Sequence, residues 1–172
     1  MGRFAANRVA VLLCLAFGLA AAPLAAQESA KGELLVGGEK AGITHAYAYA
    51  DKNFSTGEDT VVVVLTDAPL PADAVQDEVA RKKLVAAGTL HYVEVLLDAK
   101  KQALHYEVQH QRFGMMMEPG GGDGDHVVEV KTFDGKTVAG RARTMSAQQS
   151  LDDVPYAYDI TFTAPVAPRK EQ

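Results

Sequence analysis

Met115, Met116 and Met117 lie between His110 and His126. Thioether sulfur and imidazole nitrogen form a soft donor set suited to copper. A copper site from Met115, Met116, Met117, His110 and His126 is therefore the one metal reading whose ligands can be stated. Against it stands methionine's ordinary use as a flexible filler of irregular apolar gaps. The acidic loop Gly122-Asp123-Gly124-Asp125 offers hard oxygen donors for calcium, but lacks the twelve-residue ligand series and closing glutamate of an EF-hand, and reads as a solvated turn. His45 shares a face with Ile43, Tyr47 and Tyr49 and reads as a core or half-buried residue hydrogen-bonded to backbone or tyrosine. His91, His105 and His110 fall on neighbouring strand patterns. A hairpin there brings His91 or Leu90 opposite Gln109 or His110, and a slip of one residue decides which faces meet.

Nucleophilic chemistry has less to work with. Ser29, Ser55, Ser146 and Ser150 lie in leader or loop segments, none within a G-x-S-x-G elbow, so a hydrolase needs a triad assembled from separate loops. No phosphate-binding loop, dinucleotide fingerprint or H-E-x-x-H helix occurs.

The N-terminus indicates where such groups would work. Arg3 and Arg8 precede an uncharged apolar run from Val9 to Ala22, with small residues at Ala25 and Ala26. That is the grammar of a secretory signal peptide over residues 1–26, and the run is too short for the roughly 20 apolar residues of a membrane span. The expected mature chain begins near Gln27, is periplasmic or secreted, and keeps no membrane span. Cys14, the only cysteine, lies inside the apolar run, so the mature chain has neither a disulfide nor a thiolate ligand. Cleavage removes two arginines and no acid, leaving 15 basic and 22 acidic residues and a net charge of −7. With its lysines and arginines scattered, the chain has no basic stripe for a phosphate backbone, so no nucleic-acid partner is expected.

The elements that must position these groups are mostly strands. Glu33-Leu34-Leu35-Val36 ends at Gly37-Gly38, a tight-turn signal, and Ile43 to Ala50 alternates large and small residues. Val61 to Leu65 is apolar on both faces and suits a central strand covered on both sides. A helix follows, entered after Pro71 with Asp73 as N-cap or first-turn acid. Its apolar stripe is Val75, Val79 and Ala86, the cluster Arg81-Lys82-Lys83 is a solvated face, and Gly88 is its stop. Thr89 to Leu97 pairs with Ala103 to His110, and His126 to Phe133 with Lys136 to Arg143 around Asp134-Gly135. Tyr156, Tyr158, Ile160 and Phe162 of the closing strand face inward, in one core with Val62 and Val64. The expected fold is mainly β: an antiparallel β-sandwich or partly closed barrel of about eight strands, with one helix after the third strand. It forms one domain over residues 27–165, followed by a tail over 166–172.

The H-A-Y-A of His45 to Ala48, the V-L-T-D-x-P-L-P of Val64 to Pro71 and the T-F-T-A of Thr161 to Ala164 together resemble a signature of uncharacterised exported bacterial β-rich domains. The resemblance implies a β-rich exported domain and carries over no activity and no catalytic residue. The leading expectation is thus a non-enzymatic exported binding or structural domain whose partner is a protein, an envelope component or a small ligand. A periplasmic copper protein and a loop-built hydrolase are the alternatives.

Overall fold

A computed structural model describes residues 29–113 and 125–170; the expected signal peptide and Met115, Met116 and Met117 lie outside the described residues. The elements run β1 (Ala30–Val36), β2 (Glu39–Ile43), β3 (His45–Lys52), β4 (Asp59–Thr66), α1 (Glu78–Ala86), β5 (Tyr92–Asp98), β6 (Ala103–Gln109), β7 (His126–Phe133), β8 (Thr137–Thr144), β9 (Gln148–Gln149) and β10 (Pro155–Ala167). The fold is mainly β, an open curled sheet shaped as a half-barrel. Its strands are ordered β2-β1-β10-β3-β4-β5-β6, with β8 also paired to β10 and β7 outside it. All pairings are antiparallel except β10 with β3, at Val166 with Ala48 and Ala167 with Tyr49. The helix follows the valine strand, which is fourth rather than third because Glu39–Ile43 forms a strand of its own.

Turn chemistry sets the registers. Gly37 and Gly38 both have positive φ, 54° and 85°, and join Val36 to its partner Glu39 in a two-residue turn. Gly32 is required for a different reason: a Cβ there would lie 2.0 Å from the Asp159 carbonyl oxygen of β10. In the β7–β8 turn the Asp134 carboxylate accepts the backbone N–H groups of Lys136 and Thr137, the self-bonding that makes Asp a turn former.

Two apolar clusters follow from the pleat. Inside the curl, Leu34, Val36, Ile43, Ala46, Ala48, Val61, Val63, Leu65, Val93, Val95 and Leu97 pack with Tyr156, Tyr158, Ile160 and Phe162. On the outer face Tyr49, Val62, Val64, Leu90 and Tyr92 pack under Val85 of α1. Tyr158, Ile160 and Phe162 therefore share the interior with Val61 and Val63, and the placement of Val62 and Val64 among them is corrected. Every residue from Val61 to Val64 is a valine, so the run carries no alternation to tell its faces apart. At the C-terminal end β10 runs to Ala167, Gln76 exchanges hydrogen bonds with Pro168 and Lys170, and Arg169 pairs with Asp51.

The helix is also shifted from its expected frame. Asp77, not Asp73, is the N-cap, its carboxylate accepting the Ala80 N–H at 3.0 Å. At the other end Gly88 (φ 70°) donates to Val85 O and Thr89 to Leu84 O, the crossed pair of a Schellman stop. Val79 and Ala86 are exposed, and the buried pair is Arg81 and Val85. Arg81, expected in a solvated face, is fully buried. Its guanidinium donates to the carbonyls of Ala74 (3.2 Å) and Val75 (2.8 Å) and to Glu94 Oε2 (2.5 Å), and lies 5.5 Å from the Tyr92 ring centre. Glu94 faces Glu107 across β5 and β6, and Tyr92 and Gln109 both donate to Glu107 Oε1. Burial pushes the Glu94 carboxyl up, to about 7, against the pull of Arg81.

Two stability predictions follow. Phe162→Ala removes a ring from the interior and should cost about 3–5 kcal/mol, read as a fall in denaturant midpoint with unchanged slope. Arg81→Met leaves Glu94 buried without its cation and should cost about 3–5 kcal/mol, whereas Arg81→Met with Glu94→Leu should recover most of the loss in thermal melts.

Candidate functional site

The start of β3, the end of β4, the start of β5 and the end of β6 meet at one end of the half-barrel, as the register of His45 with Thr66, Thr66 with Tyr92 and Tyr92 with Gln109 requires. The end of β1 and the start of β10 join them, Val36 being opposite Tyr156. His91, His110, His126 and Tyr156 are linked here through ring contacts that include Phe113.

Asp67, just after β4, clamps His91, just before β5, twice. Its Oδ1 accepts the His91 backbone N–H at 2.8 Å and its Oδ2 lies 2.6 Å from His91 Nδ1. The carboxylate orients the ring and places a proton on Nδ1. His91 Nε2 is buried and has no hydrogen-bond partner among the described residues. His110, just after β6, stacks on His91 with centroids 4.1 Å apart and planes 21° apart. Its Nδ1 accepts the Arg112 backbone N–H at 3.2 Å. Burial, and then the His91 charge, push His110 down to about 4. Arg112 pairs with Glu39 of β2 and holds that carboxyl below the usual range.

Ring contacts continue inward. His110 meets Phe113 at 6.1 Å, Phe113 meets Tyr156 edge-on at 5.8 Å, and Tyr156 lies 6.0 Å from His126. The Nδ1 of His126 is 2.9 Å from the Tyr158 hydroxyl and its Nε2 is 3.2 Å from that of Tyr156. Tyr106 spans from β6 to β7, donating to the His126 carbonyl and standing 5.1 Å from its ring. Burial raises all three tyrosines, Tyr156 to about 12, and lowers His126. The group is therefore neutral near pH 7, with one ring nitrogen of His126 donating and the other accepting.

Of the residues expected from sequence, His91 and His110 meet, and His110 and His126 share the same mouth with Phe113 and Tyr156 between them. A metal on His126 would have to displace a tyrosine hydroxyl. Among the described residues no three His, Cys, Asp or Glu side chains are grouped to hold an ion. His105 faces Leu96 on β5 and does not join the pair. His45 is half-buried, and its Nδ1 has no hydrogen-bond partner among the described residues. The Asp67–His91 dyad is oriented as in an acid–base catalyst, yet no hydroxyl nucleophile contacts it among the described residues. Ser29 Oγ exchanges bonds with the Ala46 backbone and Ser150 Oγ accepts the N–H groups of Asp152 and Val154, both in turn or strand roles. Sequence reasoning passed over Asp67, Tyr106 and the Glu94–Glu107 pair; carboxylates alternating with apolar residues on β5 and β6 were the available signal for the last.

No family model, curated protein or solved structure matches the chain. The roles of these residues rest on their own geometry.

The burial of His126 sets the sign of a pH effect. Its folded-state pKa lies below the ordinary histidine value of 6.5, so the folded form binds fewer protons than the unfolded chain. The stability it contributes is fully present above 6.5 and is lost as pH falls below it. His126→Phe should lower the melting temperature at pH 7.5 and flatten the fall between pH 6.5 and 4.5 relative to the unaltered protein, measured by scanning calorimetry.

Proposed function

We propose that the protein is a non-enzymatic exported domain, periplasmic or secreted, which binds a protein, envelope component or small ligand at the histidine- and tyrosine-lined mouth of its half-barrel. The observation that carries this reading is the gathering of His91, His110, Phe113, His126 and Tyr156 from separate strand ends into one chain of ring contacts. Planar side chains with polar edges offer both stacking surface and orientable hydrogen bonds, the mixture found in ligand sites. The signal-peptide grammar of residues 1–26 supports export, and no described helix is long and apolar enough to cross a membrane.

The test is position-specific photo-crosslinking in cells, with a benzophenone amino acid replacing Gln111 at the mouth or Ser55 on the β3–β4 hairpin at the opposite end. Intact mass of the chain recovered from the envelope fraction should show loss of the N-terminal 26 residues and an added mass at Gln111 alone. Equal adducts at both positions, or none at Gln111, would remove the mouth as the binding surface; recovery of full-length cytoplasmic protein would remove export.

A further inference from the structure

We propose that the His91–His110 stack is a proton-operated latch, which holds the chain leaving β6 onto the mouth while His110 is neutral and releases it when His110 is protonated. The stereochemistry carries this. His110 Nδ1 is the acceptor for the Arg112 backbone N–H, and an imidazolium has no acceptor. Protonation therefore turns a hydrogen bond into two opposed donors within one turn of chain. It also places a cation 4.1 Å from the centre of a ring whose Nδ1 is already engaged by Asp67.

The charged groups around His110 come from each element packed there. Asp67, after β4, and Glu39, from β2, are carboxylates. His91, before β5, and Arg112, on the same segment, are bases, and Tyr156 of β10 lies beyond Phe113. The two carboxylates already have partners, Asp67 in His91 and Glu39 in Arg112, and neither is hydrogen-bonded to His110. The depressed pKa of His110 agrees in direction with a site built for the neutral ring.

What the latch holds is also defined. Residues His110 to Phe113 are anchored by the ring stack, by the Arg112 N–H bond, by the Arg112–Glu39 pair and by Phe113 against Tyr156. The first two fail directly on protonation of His110, and Phe113 is three residues away, bonded through its own N–H to the His110 carbonyl at 3.0 Å. Acidification should therefore loosen Phe113 from Tyr156 and expose the inner cluster around His126. The inference does not depend on what the mouth binds.

The experiment is an NMR titration from pH 8 to pH 4 on protein purified after export, following the His110 ring, the Arg112 amide and the Phe113–Tyr156 cross-peaks. The expected result is one midpoint, well below 6.5, for all three signals. His110→Asn keeps an acceptor near the Nδ1 position and cannot be protonated in this range, so its Phe113–Tyr156 contact should persist across the window. His91→Phe keeps a stacked ring without a proton, so the His110 midpoint should move upward, and this variant carries the test by itself if His110→Asn fails to fold. Persistence of the Phe113–Tyr156 contact through the His110 titration, the same acid release in His110→Asn, or an unmoved midpoint in His91→Phe would each overturn the latch.

Discussion

β10 is the strand on which the rest of the sheet depends, because it is longer than any partner. Over Tyr156 to Phe162 it bonds β1, over Asp159 to Pro165 it bonds β8, and at Val166 and Ala167 it passes to β3. The same strand thus serves three partners, β1 and β8 over overlapping stretches and β3 at its end, and the sheet curls where β3 takes over. The two-residue parallel contact joins the β2-β1-β10 part of the sheet to the β3-β4-β5-β6 part, and the residues on the inner face of the curl pack as one cluster. The alternation of Tyr156, Tyr158, Ile160, Phe162 and Ala164 inward against exposed Asp159, Thr161 and Thr163 exists because this strand has one face in each environment.

The hairpins and the closing strand were legible in the sequence because their signals are local. Gly-Gly and Asp-Gly punctuate two turns, and period-two alternation in β5 and β10 assigns faces without reference to any neighbour. The valine strand shows where this reasoning ends: a residue buried on either face looks the same, so its register with β3 and β5 decides which valines meet Phe162. The helix misled for a related reason. Val79 reads as apolar and Arg81 as polar, but the sheet beneath α1 presents Glu94 and Glu107, and a cation is what that surface can bury. The Asp67–His91–His110 group was half legible. A β5–β6 hairpin puts His91 near His110, whereas Asp67 arrives through β4, a pairing no local pattern encodes.

The two polar assemblies of this chain differ in charge, and the difference follows from what surrounds each. On the outer face Arg81 makes bonds to two carbonyls and one carboxylate, so its desolvation is offset by three charge-assisted contacts, and the ion pair fastens a nine-residue helix whose apolar stripe is thin. Around His126 the groups are an imidazole and phenols, which satisfy one another while neutral. A neutral network can be buried without a counter-ion, but it is sensitive to proton uptake, since each added proton removes an acceptor and adds a charge. Arg81 keeps its charge throughout the accessible pH range, so the buried cation that fastens the helix persists. His110 and His126 change theirs just where a neutral network is least tolerant. The curled sheet is therefore held on one side by a charge that persists and at one end in part by rings that are buried neutral, and the end is where its behaviour responds to the medium.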